Sequence, residues 1–385
     1  MLSTLILSAA VMAAPAQEPA AAAPARDRLQ AVHAHLAALQ EARGFPGATF
    51  AFVLADGTEG AVVAGFADRE AGVAMRPNHR MLAGSIGKTW FACLAMLLAE
   101  DGVIGLDDPL SKWLGKEPWF ARLPNHDAIT LRHLLRHRSG VREHVQEPAF
   151  WQAVNAERTK IWKPEELVAF VLDDEPLFAA GEGWSYADTN YILAGMAMER
   201  ATGARLYDLV EQRLIRPLGL FATTPSDRMR LPGLAQGHPV LMRRMLGVPE
   251  RMLDEDGRMV VNPQFEWTGG GYVSTSLDLA RWAQAIGAGR VVPKARLAEM
   301  LDAVPANTGP GDRYGLGLQV RASRFGATFG HGGWFPGWLS ETVYFPELGL
   351  AAAIQINTDD MRSLGAPPYQ RLLELVGLLV DGKGD

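Results

Sequence analysis

Three short stretches contain residue types that together could move an acyl group. Ser85-Ile86-Gly87-Lys88 stands just before the apolar run 90–99. Residues three apart share a helix face, so Ser85 and Lys88 are neighbours if this run is helical. A serine hydroxyl is a weak nucleophile until a base takes its proton. A lysine can be that base only if its pKa falls far below its free value of about 10.4. Burial lowers it, and so does the positive end of a helix dipole. The plainer alternative is a serine that caps a helix, followed by a surface lysine.

The second stretch is Gly183-Trp184-Ser185-Tyr186-Ala187-Asp188-Thr189-Asn190-Tyr191. Tyr186 falls in a turn ahead of a helical segment, with Asp188 or Thr189 available as its cap. The third, Gly330-His331-Gly332-Gly333, ends a strand-like run. Glycines there let a backbone come close to a ligand. Read alone, the second is a helix cap and the third a turn with a surface histidine.

These stretches need elements to hold them. Residues 27–43 have helical periodicity, with Leu29, Val32, Leu36 and Leu39 on one face. Residues 48–54 and 61–66 flank Asp56-Gly57 and predict a β-hairpin. Helical spacing or start signals follow near Ser85, Thr130, Pro164, Thr189 and Leu206. Short strands are predicted at 314–320, 327–331, 341–345 and 350–356, then an amphipathic helix at 368–380. The economical fold is α+β: one antiparallel sheet built by both ends and flanked by helices, with a helical lobe inserted. The expected sheet lobe is about 28–80 and 270–385, and the helical lobe about 81–269.

The 385 residues are 48% hydrophobic, which is ample for a large core, and the formal net charge is -6. A mildly acidic chain with no basic run gives no reason to expect nucleic acid as a partner. The apolar start, with small residues at Ala14 and Ala16, reads as an export signal over 1–16 cut before Gln17. Residues 17–27, rich in Ala and Pro, read as a flexible leader. The expectation is an exported protein, periplasmic or extracellular, with no membrane span once the signal is removed. Cys93 is the lone cysteine, so no internal disulfide can form; its apolar surroundings predict an inert buried thiol.

Ser-x-x-Lys, then Tyr-x-Asn, then Lys or His-x-Gly, in this order and spacing, resembles the class C β-lactamase-like serine hydrolases. That family includes β-lactamases, D-alanyl-D-alanine carboxypeptidases, D-aminopeptidases and related esterases. Supporting stretches are 105–109, 129–135, Arg138-Ser139-Gly140-Val141, Gly269-Gly270-Gly271-Tyr272-Val273-Ser274-Thr275 and Tyr314-Gly315-Leu316-Gly317. The resemblance implies a β-lactamase/transpeptidase-like fold and an acyl-enzyme on Ser85, with Lys88 as its partner. It makes Tyr186 the proton relay, and His331 with Gly333 the substrate-holding motif that assists Tyr186. The backbone N–H groups of Ser85 and Trp334 would form the oxyanion hole. Neither metal nor organic cofactor is implied, and the partner is a small-molecule or peptide substrate.

Two departures from the family pattern bear on chemistry. Asp188 stands where Asn is usual; an ionised carboxylate only accepts hydrogen bonds and would favour a charged Lys88. Asn190 is a possible source of the missing amide. His331 stands where β-lactamases of this class have Lys, and a neutral imidazole pairs weakly with a substrate carboxylate. Esters and D-amino acid or D-alanyl-D-alanine type amides are therefore expected ahead of β-lactams. The alternatives are a β-lactamase, a catalytically silent penicillin- or peptidoglycan-binding protein, and a metallohydrolase using His133 and His137. Those two histidines are four apart, but the stretch lacks the Glu of a zinc protease motif. Trp334 and Trp338 are expected to border the acyl pocket.

Overall fold

A computed structural model of the protein describes residues 22–381. The expected export signal and the first part of the expected leader lie outside these residues. Helix α1 (Ala22–Arg43) begins ahead of Asp27, within the stretch read as a leader. Its Val32 and Leu36 are fully buried, and Leu29 and Leu39 pack beside them, as the spacing predicts.

The hairpin forms as β1 (Gly47–Val53) and β2 (Glu59–Asp68). At its turn Gly57 takes φ +87°, and Asp56 Oδ1 accepts the Thr58 N–H at 2.8 Å. A positive φ suits glycine, which has no Cβ to clash. Two more short strands follow, β3 (Val73–Ala74) and β4 (Met81–Leu82). Later come β5 (Thr224–Pro225), β6 (Tyr272–Ser274), β7 (Val304–Pro305) and β8 (Arg313–Tyr314). The chain then runs through β9 (Gln319–Ser323), β10 (Gly326–Phe335), β11 (Trp338–Phe345) and β12 (Leu350–Ile356).

The main sheet is antiparallel, with strand order β3-β2-β1-β12-β11-β10-β9-β8-β7. The first and last thirds of the chain meet where β1 pairs with β12, Phe50 opposite Ile354. Strands β1, β11 and β12 are buried at every residue. That is why β1 and β12 read as near-continuous apolar runs and do not alternate, whereas β11 buries Ser340, Glu341 and Thr342 among its apolar residues. Helices α1 and α5 (Pro368–Asp381) cover one face. Helix α4 (Ser276–Gly287) packs on β1, β11 and β12 from the other. On that side lie α2 (Lys88–Glu100), α3 (Asp188–Thr202) and the larger apolar core. A small sheet, β4-β6-β5, stands where the helical middle begins and ends.

Two expectations needed revision. The predicted strand 314–320 splits into β8 and β9. Gly317 between them takes φ +75° and lies so close to α2 that a Cβ would sit 2.3 Å from that of Ala92. Helices do start near Thr130, Pro164 and Leu206, as read: Leu131–Leu135, Pro164–Val168 running on as a 3-10 turn over Ala169–Val171, and Leu206–Val210 running on as a π-helix over Glu211–Ile215. The first ends before His137, whose φ is +58°. His133 and His137 therefore do not share a helix face. His133 takes part in a capping box with Thr130, while Nδ1 of His137 accepts the Ala187 N–H at 3.2 Å. Among the described residues no group of His, Cys, Asp and Glu is arranged to hold a metal ion. Cys93 is fully buried in α2, and burial pushes its thiol well up, away from the reactive thiolate.

Candidate active site

Ser85 lies in a short 3-10 turn, Gly84–Gly87, that runs directly into α2. The turn is pressed against strand β10. A Cβ on Gly84 would lie 2.5 Å from the Trp334 nitrogen, and one on Gly333 would lie 1.9 Å from the Ala83 carbonyl. Only glycine allows either approach, and the result sets the backbone of Trp334 beside the serine turn.

Lys88 is the first residue of α2 and is fully buried. Its Nζ lies 2.9 Å from Ser85 Oγ and 2.5 Å from Asp188 Oδ1, and it also donates to the Gly269 carbonyl. Burial by itself pulls the ammonium's pKa down; the Asp188 carboxylate, with Tyr186, outweighs it and the net direction is up. The carboxylate comes from the first residue of α3, where negative charge suits the helix dipole. The side chain of Asp188 thus serves Lys88 and does not cap the helix; the N-cap residue is Ala187, and the first N–H of α3, that of Asp188, goes to Glu143 Oε2.

Tyr186 precedes α3, and its ring lies 4.9 Å from Lys88 Nζ. Its hydroxyl is buried without a fully formed hydrogen bond, although Lys88 and Ser85 both act on it as hydrogen-bonding neighbours. Burial pushes the phenol's pKa up and Lys88 opposes that; the net direction is up, so the group rests protonated. Asn190 does not reach the nucleophile. Its Oδ1 accepts from Ser139 Oγ at 2.5 Å and its amide lies 3.2 Å from His137 Nδ1.

His331 is on β10, opposite Thr342 of β11, and is 1% exposed. Its Nδ1 lies 2.5 Å from the Gly332 carbonyl and its Nε2 2.8 Å from the Tyr314 hydroxyl. A carbonyl only accepts, so Nδ1 carries the proton and Nε2 accepts from Tyr314. Burial, then Lys88, draws its pKa to about 3, and the ring is neutral. The direct support of Tyr186 expected of His331 is not formed: the two rings are 6.2 Å apart and both imidazole nitrogens are engaged elsewhere.

These groups open on a cleft of about 740 Å³ lined by Ser85, Tyr186, Asp188, His331, Gly333 and Trp334. The rest of its wall is mostly apolar, with Trp151, Met242, Phe265 and Phe335 prominent. Trp338 is instead fully buried in the core.

A family model described as Beta-lactamase matches residues 32–375. The chain belongs to this family. Esterase EstB of Burkholderia gladioli is 32% identical over 203 residues, covering 48% of this chain and 50% of that protein. A D-aminopeptidase of Brucella anthropi is 26% identical over 296 residues, 76% of this chain and 52% of its own. The chain thus spans about half the length of these curated relatives. A solved D-stereospecific amidohydrolase from Streptomyces sp. superposes with a TM-score of 0.76 at 30% identity, over 92% of this chain and 99% of its own. The fold is β-lactamase/transpeptidase-like, within a family of serine-hydrolase type whose relatives include esterases, D-aminopeptidases and amidases.

Five charged residues of this Beta-lactamase-family cleft escaped the sequence reading: Glu143, Glu266, Asp312, Arg321 and Glu341. Glu143 Oε2 accepts the Asp188 N–H at 2.5 Å, and Glu266 Oε2 accepts that of Gly271 at 2.9 Å. Burial, reinforced by Asp188, pushes both carboxyls up to about 8. Arg321 pairs with Glu341 at 2.5 Å beside Gly332. The available signal was proximity in sequence. Glu143 follows Arg138-Ser139-Gly140-Val141, and Glu266 precedes the three glycines 269–271.

Proposed function

We propose that the protein is a serine hydrolase that forms an acyl-enzyme on Ser85 from small apolar esters or amides, derivatives of D-amino acids among them. The observation that carries this reading is the set of neighbours around Lys88 Nζ. Two of them, Asp188 Oδ1 and the Gly269 carbonyl, can only accept, so they hold two of its protons whatever its charge. The third is Ser85 Oγ, a group that can accept or donate. With Lys88 charged at rest, its third proton points at Oγ and stabilises negative charge developing there.

Tyr186 then works as a shuttle. Ser85 Oγ attacks the carbonyl carbon while its proton passes to the Tyr186 oxygen, and the Tyr186 proton passes to the leaving nitrogen or oxygen. Bond cleavage leaves an acyl-Ser85 and a neutral leaving group. Water repeats the exchange in the second half: it gives a proton to Tyr186, attacks the acyl carbon and releases the acid, and Ser85 recovers its proton. The backbone N–H groups of Ser85 and Trp334 take the oxyanion role, a term worth several kcal/mol in such sites. The largely apolar wall suits an aromatic or aliphatic substituent, and the likeness to a D-stereospecific amidohydrolase supports D-configured substrates. Neutral His331 offers no ammonium to a substrate carboxylate, which favours esters and amides over penicillins. The apolar start of the chain supports action outside the cytoplasm, and no helix of the described residues is long and apolar enough to cross a membrane.

A fluorophosphonate probe should label Ser85, and Ser85→Ala should abolish both labelling and turnover of short-chain esters. Intact-mass analysis reads the adduct; labelling that survives the substitution removes Ser85 from the mechanism.

A further inference from the structure

One of the acceptors that fix Lys88 rests on an irregular strip of chain. Asp188 Oδ1 belongs to the first residue of α3, so a 15-residue helix sets its place. The other acceptor, the Gly269 carbonyl, is the last of the 3-10 segment Pro263–Gly269, and β6 starts only at Tyr272. Within that segment Trp267 takes φ +37° and ψ −119°. A positive φ strains a residue that carries a Cβ, and such strain persists only where the surroundings hold it.

Glu266 supplies the hold. Its one hydrogen bond among the described residues goes to this backbone: Oε2 accepts the Gly271 N–H at 2.9 Å, two residues past the carbonyl. Its Oε1 lies against Gly270, where a Cβ would be 2.0 Å away. The same strip touches the nucleophile turn, since a Cβ on Gly87 would lie 1.7 Å from the Gly270 carbonyl oxygen. Gly270 therefore meets both the Glu266 carboxyl and the turn that carries Ser85, at distances only glycine allows. Burial raises the Glu266 carboxyl to about 8 and Lys88 opposes that, so the two groups sense each other. Resting on the acyl-enzyme reading above, we propose that Glu266 is a positioning residue for Lys88: by fixing the 269–271 backbone it keeps the Gly269 carbonyl on one lysine proton and leaves another aimed at Ser85 Oγ. Without this hold the strip relaxes together with Trp267, and the ammonium loses the acceptor that sets its rotation.

The test compares Glu266→Gln with Glu266→Met in the turnover of a short-chain ester, with active sites counted by the endpoint of fluorophosphonate labelling. Glutamine keeps an acceptor oxygen at the same reach; methionine keeps the length and removes the acceptor. Per labelled site, Glu266→Met should lower kcat by about 10- to 100-fold, the scale of a small misplacement passed on to reacting groups. KM should stay within about threefold, because substrate binding in the ground state is untouched. Glu266→Gln should recover most of the lost kcat. If Glu266→Met does not fold, Glu266→Asp replaces it: the carboxyl is kept but its reach is one carbon shorter, and kcat should fall while that of Glu266→Gln does not. A wild-type kcat per labelled site in the Met or Asp variant, whether or not KM rises, overturns the proposal. A Gln variant as slow as the Met or Asp variant also overturns it, because the carboxyl itself would then be required. Failure of the probe to label Ser85 in the wild-type enzyme sinks the acyl-enzyme reading instead.

Discussion

Lys88–Asp188 and Arg321–Glu341 are both buried pairs on one cleft, each with a closest contact of 2.5 Å. Their surroundings separate them. Lys88 keeps a third neighbour, Ser85 Oγ, which can exchange donor and acceptor roles with it. Arg321 lies with its guanidinium carbon 3.8 Å from the Tyr369 ring centre and joins β9 to β11 beside Gly332. A guanidinium does not give up its proton, and its planar fork suits a fixed, stacked pair. A lysine is a compact charge whose proton can be shared. A buried ion pair therefore becomes chemistry only when one partner also touches a group that can donate or accept. Without that neighbour it fixes shape.

The comparison breaks most sharply at Tyr186, the other member of the movable-proton side. Tyr186→Phe should lower kcat by about 10²–10⁴, the usual size of a lost acid–base group. Its hydroxyl completes no hydrogen bond, so the melting temperature should hardly move. A fully active Phe variant would remove the relay.

A second test addresses the shape-fixing side. Arg321→Met leaves Glu341 buried and unpaired, which should cost about 3–5 kcal/mol in urea unfolding. Arg321→Met combined with Glu341→Leu should recover most of that loss, because an apolar pair replaces a desolvated one. Equal instability of the single and double variants would mean that Arg321 contributes packing and not charge balance.

The smallest effect expected is also the most diagnostic. Asp188→Asn keeps an acceptor for Lys88 but removes the carboxylate that holds its pKa up. A raised lysine is charged below its folded pKa and loses the proton only as pH rises through it. Lowering that pKa should therefore move the alkaline limb of kcat/KM to lower pH, while activity survives. An unchanged limb would show that the Lys88 charge does not govern the reaction.

Much of the site was legible because it is local. Ser85 and Lys88 are one helical turn apart, so spacing alone makes them neighbours once 88–100 is helical. The α1 stripe, the Asp56-Gly57 turn and the apolar run 350–356 follow from periodicity and turn chemistry in the same way. The reading failed where a local signal had two outcomes. Asn190 could by type have supplied an amide to the site, yet its side chain is held by Ser139 and His137. His331 carried the third motif, yet Tyr314 and Gly332 hold both its nitrogens. The strand predicted over 314–320 broke at Gly317 because α2 passes too close for any side chain.

By itself, then, the sequence determined residue types, their order along the chain and the periodicities that select helices and strands, because these depend on neighbours a few positions away. The tertiary structure decided the charge states. Asp188 meets Lys88 across 100 positions of chain. Glu143, Glu266 and Arg321 reach the cleft from a loop, a 3-10 segment and a strand, with no pattern in common. A pKa depends on burial and on charges within a few ångströms, and those distances exist only after the chain has folded.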